Sequence, residues 1–203
     1  MQPSNRCCIF TANPKFNVMR IDTPRFATLA SLILAAALLR LLPHPYNFTP
    51  LGAMALFGGA HFKSKRWAFL VPVLALLVSD ALLGFHSTMW AVYGSFILMV
   101  AIGMGFLKKI TAGRVAGTAL LSSVIFFLIT NFAVWLNAGG FYPKTFMGLM
   151  ACYGAGLQFY QYTVFGNLFL NSVMGDLFFS LLLFGSFEWL KSKSPALQGT
   201  ESV

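Results

Sequence analysis

The sequence predicts an all-α integral membrane bundle of six transmembrane helices, both termini cytoplasmic, with a long external loop between helices five and six. Three observations carry that expectation. Hydrophobic residues make up 58% of the chain and charged residues 9%, and the mean hydropathy is +0.74, a balance outside the range of water-soluble domains. Apolar runs recur along the chain, separated by short stretches with prolines, glycines or charges. Twelve of the fourteen Lys and Arg residues then fall at alternate ends of those runs: Arg6, Lys15, Arg20 and Arg25; Lys63, Lys65 and Arg66; Lys108, Lys109 and Arg114; Lys191 and Lys193. Short loops rich in Lys and Arg stay in the cytoplasm, so the alternation orients the bundle. Arg40 and Lys144 alone fall on the other side.

Residues 1–25 read as a cytoplasmic tail, 26–190 as the transmembrane domain and 191–203 as a second cytoplasmic tail. Met19 opens a short basic lead and is an alternative start. A cleaved signal peptide is another reading, from basic residues, an apolar run and Ala35-Ala36-Ala37, but the run continues to Leu42.

The first span covers about Phe26 to Leu42, where Pro43 and Pro45 stop it. Thr49 is positioned to cap the second, with Pro50 in its first turn. This helix ends near Phe62, too short for a hydrocarbon core about 30 Å thick. Its Gly52, Ala53, Ala55, Gly58, Gly59 and Ala60 imply tight packing within the bundle. The third span is Trp67 to Gly84, with Pro72 as an internal kink. The fourth is Met89 to Leu107, the fifth Arg114 to Leu136 and the sixth about Val164 to Leu190. Between the last two, Thr145 to Tyr162 is rich in Tyr, Phe and Gly and reads as a short helix at the outer interface. Such a segment serves either as a lid over a cavity or as an interfacial anchor.

A net charge of +9 would suggest nucleic acid in a soluble chain. Here the surplus lies at helix ends beside anionic membrane lipid, so no nucleic-acid partner is expected. Cys7 and Cys8 fall on the opposite side from Cys152, which leaves no disulfide framework across the membrane. No G-x-S-x-G, H-E-x-x-H or Walker lysine is present, and no catalytic residue is assigned.

Charges within spans are costly and demand a reason. Asp80 sits near the outer end of the third span and Asp176 near the middle of the sixth. Arg40, at the outer end of the first, reaches Asp80 as a structural ion pair or joins it around a ligand. His44 and His86 flank the same mouth, and with Asp80 they form a minor alternative site for a divalent metal; otherwise no cofactor is expected. His61 belongs to the opposite end. Asn131 and Trp135 are four apart and share a helix face, as do Asn167 and Asn171. An amide beside an indole suits a flat ligand with a polar edge, or equally an interhelical bond and an aromatic belt. The expected substrate site is therefore Arg40, His44, Asn47, Asp80, His86, Asn131, Trp135, Asn171 and Asp176, roofed by Tyr142 to Tyr153. Ala27, Ser31 and Ala35 form a small-residue stripe on the first span, for partner docking or for packing within the chain.

The segments RLLPHPYNFTP (Arg40 to Pro50), SDALLGFH (Ser79 to His86), TNFAVW (Thr130 to Trp135) and YPKTFMGLMACY (Tyr142 to Tyr153) resemble an uncharacterised family of bacterial six-helix membrane proteins. More loosely the chain is similar to substrate-binding S components of energy-coupling-factor (ECF) vitamin transporters. That resemblance implies a small-molecule ligand near the outer face and a location in the bacterial cytoplasmic membrane. It also implies a transmembrane coupling subunit and ATPases as partners, the coupling subunit being contacted through small residues of the first helix, often A-x-x-x-A. Here Ser31 replaces the first alanine. The cobalt-ligating cysteine that solitary cobalamin-binding members would want near Asp80 to Tyr93 is absent. The expected function is a membrane substrate-binding subunit for uptake of a vitamin-like or other small molecule, without enzymatic activity. The alternatives are a membrane-embedded enzyme acting on a lipid-type substrate, or an accessory subunit of a larger membrane complex.

Overall fold

A computed structural model of the chain describes residues 23–137, 139, 141–158 and 164–198. The readings made on residues 1–22, on Gln161 and Tyr162 and on 199–203 lie outside them. Seven α-helices follow in order: α1 (Thr23–Leu39), α2 (Leu51–His61), α3 (Lys65–Leu83), α4 (Met89–Phe106), α5 (Ala112–Asn137), α6 (Phe146–Leu157) and α7 (Leu168–Lys193). A single 3₁₀ turn, Pro195–Leu197, ends the described chain. Among the described residues there is no strand. Four helices, α3, α4, α5 and α7, are long and apolar enough to cross a membrane, and α1, α2 and α6 are shorter apolar helices.

The centre of the bundle is α2. Ten of its eleven residues are buried, and it packs against α1, α3, α4, α5 and α7. Small side chains make this enclosure geometrically feasible. A Cβ on Gly59 would collide with the Val100 carbonyl of α4, and one on Gly103 would lie 2.8 Å from the Leu56 carbonyl oxygen. Gly58 likewise admits the ring of Pro72, which sits inside α3. Backbone-to-backbone approach of this kind is how helices associate where solvent offers no hydrophobic drive.

The two ends of the bundle differ. At one, the rings of Phe26, Phe62 and Trp67 pack together, Phe57, Phe184 and Phe187 surround His61, and Arg25 lies over Phe187. This is the end that carries the clustered basic residues. At the other, Arg40 meets Asp80 and the connection from α1 to α2 folds against the start of α7. Asn47 holds a positive φ of 59° there, a conformation asparagine tolerates better than most residues. Gly175 lets that connection lie close, since a Cβ on it would stand 3.0 Å from the Thr49 nitrogen.

Local differences from the sequence expectation have physical reasons. Thr49 does not cap α2: Pro50 occupies the N-cap position with no side-chain bond, and a carboxylate from α7 takes over that role. The last helix begins at Leu168, not Val164, because Asn167 caps it by accepting the Leu170 N–H at 2.7 Å. Helix α6 lies against α5. Its Tyr153 hydroxyl donates to the Leu128 carbonyl, its Cys152 thiol to that of Asn131, and Gly156 abuts Phe127 and Asn131. Thus α6 runs antiparallel along the last third of α5 through Cys152 and Gly156, while Gly148, its third buried residue, packs against Pro143.

Candidate functional site

Arg40, just past the end of α1, and Asp80, in the last turn of α3, meet at 2.7 Å. The same Arg40 Nη1 donates to the Ser79 hydroxyl, which in turn donates to the Leu76 carbonyl. The pair is largely sequestered, with side-chain exposures of 11% and 5%. Beside it opens a cavity of about 360 Å³. Its polar wall comprises Arg40, Asn47, Thr49, Asp80, His86, Thr130, Asn131 and Ser172; its apolar wall includes Leu51, Val92, Phe126, Phe127, Val134 and Leu168. Asn131 uses its amide N–H on the Phe127 carbonyl one turn back, leaving its oxygen toward Gly156 of α6. His86 stands exposed, with Nδ1 3.0 Å from the Thr88 hydroxyl.

Five residues expected at the site, Arg40, Asn47, Asp80, His86 and Asn131, are therefore gathered around one cavity. The other six are placed elsewhere. His44 is exposed, with Nδ1 2.7 Å from the Leu42 carbonyl. Asn171 is fully buried and spends its amide on structure, donating to the Tyr46 carbonyl and accepting the Phe165 N–H. Tyr153 binds the α5 backbone, and Tyr142 packs edge-on against Phe141. Asp176 accepts the Gly52 N–H on one oxygen at 2.9 Å and the Ser123 hydroxyl on the other at 2.7 Å. It serves as the cap that α2 lacks in its own sequence. Among the described residues no three His, Cys, Asp or Glu side chains converge on a common metal position, so His44, His86 and Asp80 are not brought together as a ligand set.

Trp135 is a loop anchor. Its indole N–H donates to the Pro143 carbonyl at 2.9 Å, and Lys144 lies over its ring while donating to the Trp135 and Leu136 carbonyls. A cation on the last free carbonyls of a helix is favourable both as a hydrogen bond and against the helix dipole. The combined substitution Trp135→Phe and Lys144→Ala is expected to release this loop. Amide hydrogen exchange at 144–148 should rise about tenfold, for a local loss of about 1–2 kcal/mol, while the global unfolding midpoint barely moves.

Three wall residues that composition did not single out, Thr130, Ser172 and Gly156, come from α5, α7 and α6. Thr130 adjoins Asn131 and Ser172 adjoins Asn171, but small polar residues are common in helices and carry little signal alone. The stripe of Ala27, Ser31 and Ala35 is exposed, while Leu29, Ile33, Ala36 and Ala37 face the core. Packing among the described residues therefore does not account for it.

Fold and site together define an all-α protein of the membrane class, with a small, polar-edged cavity at one end of its bundle. The chain belongs to a family of unknown function (DUF6580), whose model matches residues 21–197. No curated protein and no solved structure matches it.

Proposed function

We propose that this protein is a membrane subunit that binds a small molecule for uptake, with the cavity beside Arg40 and Asp80 as its ligand site. In this reading α1 to α5 and α7 cross the bacterial cytoplasmic membrane with both termini inside, and α6 packs within the outer half. The single observation that carries the reading is the convergence of Arg40, Asn47, Asp80, His86 and Asn131, from three separate stretches of chain, on one cavity. Sites of this kind are concave, mostly apolar and equipped with a few placed polar groups. The basic clusters supply the orientation, which puts the cavity on the outer side.

Energy would come from separate ATPases and a transmembrane coupling subunit, with membrane lipid around the rest of the bundle. The exposed stripe of Ala27, Ser31 and Ala35 supports close approach of a partner helix to α1. No catalytic role is assigned to any residue.

The test is mass spectrometry of the full chain purified gently with its native lipid. A small molecule is expected at about one per chain and at least tenfold less in Asn131→Leu and Asp80→Ala, which remove polar wall groups worth about 1.5–3 kcal/mol each to a bound ligand. Unchanged occupancy in both variants would dismiss the cavity as the site.

A further inference from the structure

We propose that the basic end of the α4–α5 pair binds one anionic phospholipid, its phosphate held by Arg114 with Lys108 and Lys109 and an acyl chain laid in the groove between the two helices. This site stands apart from the cavity beside Arg40. Arg114 and Asn131 are about 25 Å apart along α5 at a rise of about 1.5 Å per residue.

Helices α4 and α5 are both long and apolar enough to cross a membrane. They pack together and are joined by a short connection, residues 107–111. At that end an open groove of about 510 Å³ lies between them, with Gly105 and Phe106 of α4 on one side and Arg114, Gly117 and Leu121 of α5 on the other. The glycines keep it open, since a Cβ on Gly105 or Gly117 meets nothing within 4 Å. At Gly59 and Gly103, by contrast, the facing helix fills that space. Arg114, Gly117 and Leu121 are spaced three and four apart and so follow one face of α5. That face descends about 10 Å from the arginine toward the middle of the helix. Phe106 is 60% exposed and Leu121 39%, an apolar lining open to a hydrocarbon medium. An acyl chain restores the dispersion contacts that the lining atoms of an empty groove lack.

Charge selects the headgroup. From Met104 to Leu121 the chain holds Lys108, Lys109 and Arg114 and no acidic residue. None of those three side chains makes an ion pair or hydrogen bond with another described residue. Other cations at this end are engaged: Arg25 donates to the Leu197 carbonyl and lies over Phe187, and Lys191 pairs with Glu188. Among the described residues Arg114 is the only ionisable side chain lining the groove. Its guanidinium fork matches a phosphate, and basic pockets between membrane helices are headgroup sites on the same physical grounds. A zwitterionic headgroup brings its own cation into the cluster and gains less. A free phosphate leaves the apolar length of the groove unfilled.

The test is native mass spectrometry of the full chain released from detergent micelles, titrated with phosphatidylglycerol or phosphatidylcholine of identical acyl chains. One phosphatidylglycerol per chain is expected, held at least about tenfold more tightly than phosphatidylcholine. Glycerol 3-phosphate is expected not to displace it. Arg114→Gln should weaken retention about fivefold or more, whereas Arg66→Gln, which removes an equally exposed charge from the start of α3, should leave it unchanged. Gly117→Leu fills the groove from a position with open space around it, and should weaken retention as much as Arg114→Gln. Equal retention of the two lipids overturns the anionic class. Displacement by glycerol 3-phosphate assigns the cations to soluble anions and overturns the lipid. Equal losses in Arg114→Gln and Arg66→Gln mean diffuse surface attraction and overturn the site, and this comparison decides even if Gly117→Leu fails to fold. Full retention in Gly117→Leu overturns the groove as the seat of the acyl chain.

Discussion

Replacing Asp176 with alanine is expected to cost about 3–5 kcal/mol of stability, the largest loss from any single polar substitution in this protein. The carboxylate joins three elements: α7, which carries it; the N-terminus of α2, whose Gly52 N–H it accepts; and α5, through the Ser123 hydroxyl. Alanine leaves the Gly52 and Ala53 N–H groups of the α2 first turn buried without that acceptor, at about 1–3 kcal/mol each, while the Ser123 hydroxyl keeps the Ala119 carbonyl. No nearby residue substitutes, since neither Thr49 nor Pro50 offers α2 a side-chain cap. Asp176→Asn retains one accepting oxygen and should lose about half as much. Ser123→Ala, which removes one donor and leaves the Gly52 bond intact, should lose about 1 kcal/mol. Chemical unfolding in detergent micelles, followed by circular dichroism, ranks the three. A midpoint for Asp176→Ala equal to that of the unaltered chain would rule out the capping role.

The second large effect is expected at the crossing of α2 and α4. Gly59→Ala and Gly103→Ala each place a methyl group against main-chain atoms of the facing helix. Main chain cannot swing aside as a side-chain tip can, so the helices must separate. Overpacking of that kind costs about 1–3 kcal/mol or more. Gly94 and Gly105 of the same helix provide the control, because a Cβ on either meets nothing within 4 Å. Alanine there should be neutral or stabilising by up to about 1 kcal/mol through helix propensity. The same unfolding assay reads the contrast. Equal behaviour of the two pairs would mean that α2 and α4 do not approach so closely.

Much of the arrangement was legible because periodicity and composition act locally. The order and type of all seven helices follow from apolar runs and their breakers, and the burial of α2 follows from its glycines and alanines. Arg40, Asp80 and Asn131 were identifiable because a polar or charged group within an apolar run needs a partner. The contact of Cys152 and Gly156 with α5 was also readable, as small residues spaced four apart.

What the residues could not reveal was which partner each polar group finds. Asp176, Asn171 and Trp135 carry the same signal as Asp80 and Asn131, yet they serve a helix cap, a loop staple and a loop anchor. Hydrogen-bond partners far apart in sequence depend on helix register and crossing, which no local pattern specifies. Gly52 and Asp176 meet across 124 positions, and Arg40 and Asp80 across 40. The sequence by itself determined the helices, their apolar character and the short list of polar groups needing a partner. Only the tertiary structure decided which of those groups are consumed by the fold and which are left facing a cavity, because that depends on how closely packed backbones bring distant donors and acceptors together.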